Sequence, residues 1–189
     1  TQSGGKEGDN SVSLLRILVY VAVVIALGAV LSVAVAGAAT EANTDGLVTD
    51  GVVVDLDGEG NAVVTVTVSF DLSVEEEKSD FEAFAGSETE QQAQLDQYES
   101  RLSNVATEVE SQTGREMDVT NASISTQTSD DEERSLVVLQ ATWEGLAANN
   151  GGQLVLGAPF DDGFNADRMV AVRPPEPHRV VSVPYTHPR

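Results

Sequence analysis

The stretch Val52–Phe70, VVVDLDGEGNAVVTVTVSF, decides the fold. Val52, Val53, Val54 and Leu56 form an apolar run rich in β-branched residues, and Gly58-Glu59-Gly60-Asn61 supplies turn chemistry. Val64, Val66, Val68 and Phe70 then alternate with Thr65, Thr67 and Ser69. A period of two sends the apolar side chains to one face and the hydroxyls to the other. The segment therefore reads as a β-hairpin with one face buried and the other turned to water or to a polar neighbour.

Downstream the period changes. Ser73 followed by Glu76 has the spacing of a capping box, with acids in the first turn, and predicts a helix from Val74 to about Ala85 that carries Phe81 and Phe84 and stops at Gly86. A longer helix is expected from about Ser87 to Thr113, because Leu95, Tyr98, Leu102, Val105 and Val109 recur at spacings of three and four, with Gly114 as its C-cap. Burying each of those five side chains is worth roughly 1.5–3 kcal/mol, so the stripe is assigned to the domain's own core and not to a partner helix. Strand patterns return at Val119–Thr128 and Ser135–Glu144. A turn at Asn149-Asn150-Gly151-Gly152, a short strand at Gln153–Leu156 and edge strands at Met169–Val172 and Arg179–Val183 follow. Strands, a block of helices and strands again predict an α+β domain over residues 49–183, an antiparallel sheet with the helical insertion packed on one face.

Upstream of the hairpin, residues 17–39, ILVYVAVVIALGAVLSVAVAGAA, contain no charge. As a helix these residues span about 34 Å, against a hydrocarbon core of about 30 Å, so a transmembrane or signal-anchor helix is expected there. Arg16 precedes it and acids follow, which places residues 1–16 in the cytoplasm and the chain beyond the 40–48 linker outside the cell membrane. Ala36-Gly37-Ala38 also has the small-residue pattern of a signal-peptidase site, so cleavage is the competing reading; the domain is exported under both.

The 189 residues hold 31 Asp and Glu against 10 Lys and Arg, a net charge of −21. Lys6, Arg16, Glu7 and Asp9 cancel within residues 1–40, so the whole excess lies in the exported part. Such a surface repels phosphate and argues against nucleic-acid binding by this segment. Only Lys6 and Lys78 are lysines, and a lysine-poor acidic surface suits molar salt, where a Debye length of about 3 Å screens self-repulsion. A halophilic archaeal source is expected. The chain has no cysteine, which excludes disulfides, thiolate metal sites and cysteine nucleophiles.

Few residues suggest chemistry. Asp55, Asp57 and Glu59 alternate ahead of Gly60 and Asn61 like the start of a calcium loop, yet the twelfth position, where such a loop needs a bidentate Glu, falls on Val66. A hairpin turn explains them better, and Asp161-Asp162-Gly163 reads the same way. His178 and His187 lie beside prolines, outside any nucleophile elbow or zinc helix, and are read as solvated. Trp143 falls in an apolar strand and is assigned to the core. Asn121-Ala122-Ser123 is the single Asn-x-Ser/Thr sequon, making Asn121 the candidate glycosylation site of an exported domain. Neither an enzymatic activity nor a cofactor is expected.

Three stretches carry a resemblance. They are Val54-Asp55-Leu56-Asp57-Gly58 running into Ala62–Val68; Tyr98-Glu99-Ser100-Arg101-Leu102 leading to Thr113-Gly114-Arg115-Glu116-Met117; and Ala141-Thr142-Trp143-Glu144-Gly145-Leu146. Across roughly residues 50–183 the chain resembles haloarchaeal membrane-anchored proteins with an uncharacterised extracytoplasmic domain, often followed by a second membrane helix and a cytoplasmic winged helix-turn-helix domain. The resemblance implies a sensing or protein-interaction module, the outer half of a membrane-bound transcriptional regulator. Its motifs concern packing and turns. The sequence runs out at residues 184–189 before any second apolar helix and starts at Thr1, as expected of a fragment. The alternative is a structural cell-surface component, pilin-like or envelope-associated. Partners are the bilayer, through residues 17–39, and a protein or small ligand that the sequence does not identify.

Overall fold

The computed structural model describes residues 50–157 and 169–179. The apolar segment 17–39, the linker 40–48, Asp161-Asp162-Gly163, His187 and the expected strand beyond Arg179 lie outside the described residues. No helix among the described residues is long and apolar enough to cross a membrane.

The hairpin forms as its pattern demands. Strand β1 (Gly51–Leu56) pairs antiparallel with β2 (Ala62–Asp71), Val52 opposite Val66 and Val54 opposite Val64. After β2 come helices α1 (Glu75–Ala85) and α2 (Glu88–Thr113), then β3 (Asp118–Thr128), β4 (Arg134–Glu144), the small hairpin of β5 (Ala147–Asn150) and β6 (Gln153–Leu156), and β7 (Met169–Arg173). The main sheet runs β3-β4-β2-β1-β7. The domain is α+β, with the helices inserted between β2 and β3.

One expectation is corrected: the sheet is mixed, not antiparallel throughout. Strand β7 lies parallel to β1, Val52 opposite Val170 and Val54 opposite Val172. A parallel neighbour arrives by a crossover and not by a tight turn, so no local turn signal in the sequence distinguishes it from an antiparallel edge strand.

The helix-facing side of the sheet is the core. Val52, Val54, Val64 and Val66 meet Leu139, Ala141 and Trp143 from β4, and Tyr98, Leu102, Val105 and Val109 from α2 close over them. A second cluster joins Val68, Phe70 and Val137 to Phe81 and Phe84 of α1, with the Phe70 and Phe81 rings 5.7 Å apart. The α2 stripe is thus buried within the domain, except that Leu95 is only partly covered and Gln94 is buried beside it.

The ends of the helices differ from each other in an instructive way. Ser87 caps α2, its hydroxyl accepting from the Glu90 N–H at 3.3 Å, and Gly114 ends it in the left-handed conformation at φ 67°. The capping box expected at Ser73 does not form. Asp71, two residues earlier, takes both the Ser73 N–H at 2.9 Å and its hydroxyl at 2.6 Å, so Val74 becomes the N-cap residue with no side-chain hydrogen bond. A carboxylate at the end of β2 outcompetes the helix for the same serine.

Candidate functional site

The acidic hairpin turn is built around one carboxylate. Asp57 Oδ1 accepts from the N–H groups of Glu59, Gly60 and Asn61, each at 2.9 Å, and Oδ2 accepts from the Asn61 side-chain amide at 2.9 Å. Burial pushes this carboxyl up, but the Asn61 side chain and the three backbone N–H groups outweigh it and hold it below the ordinary carboxylate range. Asp55 instead reaches across to Arg173 on β7 at 3.4 Å, and Glu59 is exposed. The three acids singled out in the sequence do not converge. Among the described residues no group of three or more His, Asp and Glu side chains is placed to hold a metal ion. Val66, at the twelfth loop position, is a core residue of β2.

The turn's oxygens and glycines serve a junction. Gly60, at φ 100°, lies so close to β5 that a Cβ would stand 2.3 Å from the Ala147 carbonyl oxygen, and its own carbonyl accepts from the Ala147 N–H at 2.8 Å. Asn61 Oδ1 accepts from the Gly145 N–H at 3.1 Å, and Asn149 Nδ2 donates to the Gly58 carbonyl at 3.0 Å. Arg115, just past the α2 C-cap, donates from Nε to the Gly145 carbonyl at 2.7 Å and from Nη2 to the Leu146 carbonyl at 3.1 Å. Gly145, at φ 70°, packs against Glu116, where a Cβ would meet the carbonyl oxygen at 2.4 Å. All three sequence stretches that carry the resemblance therefore contribute to one corner of the domain, which joins hairpin, helix end and β4. No local spacing announces Arg115 as a clamp, because its partners are 30 and 31 residues away.

Elsewhere, Trp143 is 3% exposed in the core, as its strand context predicts. His178 is not simply solvated: it is partly buried, with Nε2 3.0 Å from the Gly152 carbonyl at the β5–β6 turn. Asn121 is exposed, on β3 at the edge of the sheet.

Two further groups of polar side chains lie outside the corner. On the helix-free face of the sheet, Thr65 accepts from Gln140 at 3.2 Å, with Thr142 and Ser123 on the same face; Val53, Thr67 and Leu136 are buried there. On α2, the buried atoms Gln94 Nε2, Gln97 Oε1 and Arg101 Nη1 have no hydrogen-bond partner among the described residues. They sit three and four residues apart, so they line one stripe of the helix beside Tyr98, whose hydroxyl donates to the Val64 carbonyl at 2.9 Å. The signal was present in the sequence as polar residues at helical spacing next to the apolar stripe. Buried polar groups are paired in the great majority of cases, so three unpaired ones in a single helical stripe are an unusual concentration.

Residues 53–177, more than half of the chain, match the model of a family described as a domain of unknown function, DUF7345. No curated protein and no solved structure matches the chain.

Proposed function

The chain belongs to the DUF7345 family, and we propose from its sequence that it is the extracytoplasmic sensing or interaction domain of a membrane-anchored cell-envelope protein adapted to high salt. The observation that carries the reading is the partition of the chain. Residues 17–39 are uncharged and long enough to cross a bilayer as a helix, while the entire net charge of −21 lies after residue 40. Only the 11 residues 40–50 separate the apolar run from β1, and even fully extended they reach about 40 Å, so the folded domain works close to the membrane surface. Arg16 on one side and acids on the other orient the segment with the domain outside.

The reading is tested by fractionation of cells that express the full chain. The protein is expected to stay with the membranes through an alkaline wash and to be released by detergent, whereas deletion of residues 17–39 leaves the acidic domain in the soluble fraction. A full-length chain that is soluble without detergent contradicts the anchor.

A further inference from the structure

We propose that Asn121 is N-glycosylated and that the glycan guards the β3 edge of the sheet, which pairs with no further strand among the described residues; this rests on the export reading above. The sequon Asn121-Ala122-Ser123 lies at a β-bulge. Thr120 pairs with Thr142 and Ser123 with Gln140, so Asn121 and Ala122 together oppose Ala141. The bulge decides which side chain is presented. Val119 faces the helices, and in a regular strand residue 121 would face them too; the extra residue passes that inward place to Ala122, which packs against the core. Asn121 is left exposed at φ 54°, a left-handed conformation that asparagine tolerates better than most residues. Its amide nitrogen makes a single long contact, 3.3 Å to the Thr120 hydroxyl, and Ser123 is exposed. Both side chains that define an acceptor site are thus presented on the surface.

The edge itself supplies a use for the glycan. β3 is 11 residues long and closes one side of the sheet, and it carries a single charged residue, Asp118, in a chain whose composition is 22% charged. Edge strands of this length are ordinarily protected by charge, proline or a bulge against pairing with another chain. A bulky hydrophilic group at the bulge adds to that protection where charges do not.

The donor is an oligosaccharide linked through phosphate to a membrane polyisoprenoid. Asn121 Nδ2 forms a bond to the sugar C1, the bond from C1 to the phosphate oxygen breaks, the lipid phosphate leaves with the electron pair, and the amide proton passes to a base of the membrane transferase.

The test uses the full chain in a host that glycosylates a co-expressed exported reporter, with intact mass and the mass of the peptide bearing residue 121 as readouts. One glycan increment on that peptide is expected, lost in N121Q and in S123A and retained in S123T. S123A leaves the backbone at Asn121 unchanged, so loss there does not depend on N121Q folding. A chain that external protease reaches, yet is bare at Asn121, overturns the inference and leaves the export reading standing. A chain sheltered from protease and bare overturns both.

Discussion

Replacing Gly145 by Ala tests the corner where hairpin, α2 and β4 meet, and Gly114 provides the control. The two glycines share almost the same backbone, φ 70° and φ 67°, but a Cβ on Gly145 would lie 2.4 Å from the Glu116 carbonyl oxygen while one on Gly114 meets nothing within 4 Å. The left-handed conformation alone costs an L-residue about 1–2 kcal/mol, and G114A should lose that much and no more. In G145A the carbonyl must also retreat by about 1 Å to reach ordinary contact, an overpacking cost of about 1–3 kcal/mol. The same shift loosens the bonds from Arg115 to the Gly145 carbonyl and from the Gly145 N–H to Asn61. Each such bond contributes about 1 kcal/mol net, so a total of about 4–7 kcal/mol is expected for G145A if both are lost. Trp143, the only tryptophan, is buried two residues away and reports unfolding by fluorescence. With a urea dependence of about 2 kcal/mol per molar, the midpoint falls by about 2–3.5 M in G145A and by about 0.5–1 M in G114A. Equal midpoint shifts for the two variants refute the steric account of the corner.

Tyr98→Phe removes the hydroxyl that donates to the Val64 carbonyl in the core, where burial holds the phenol well above its ordinary range and so keeps it protonated. A loss of about 0.5–1.5 kcal/mol is expected from the same urea titration, with the fold intact by circular dichroism; no loss means the bond contributes nothing net. Asp57→Ala removes a carboxylate whose folded-state pKa is depressed. Its stabilisation is therefore present above the unfolded value of about 3.9 and disappears as pH falls through the lower folded value. The gap between wild type and D57A, about 1 kcal/mol at neutral pH for so exposed a group, should close below about pH 4. A gap that stays constant from pH 7 to pH 3 contradicts the charged turn.

Much of this architecture is legible in local periodicity. The alternation in residues 62–71 and the spacing of Tyr98, Leu102, Val105 and Val109 identify the core faces because the apolar side chains of each element gather on one side. Ser87 and Gly114 mark the ends of α2 because cap chemistry is local. What the sequence conceals is competition and distance. Ser73 has the spacing of a cap but is claimed by Asp71. The weak alternation of Val119–Thr128 is a regular strand on either side of a bulge, so residues before and after Asn121 follow opposite parities. The parallel pairing of β7 with β1 and the clamp of Arg115 on Gly145 and Leu146 are long-range contacts without a local signature. At the acidic turn, the sequence shows three candidate ligands, and only the backbone reveals that Asp57 spends its oxygens on its own turn.

The central claim, an exported domain on a membrane anchor, is tested most directly by single-cysteine labelling, which the cysteine-free chain makes unambiguous. Glu108→Cys lies on the exposed face of α2, and Ser11→Cys precedes the apolar run. In intact cells a membrane-impermeant maleimide should label E108C and leave S11C untouched until the cells are lysed. Labelling of S11C in intact cells with E108C protected, or protection of both until lysis, contradicts the account.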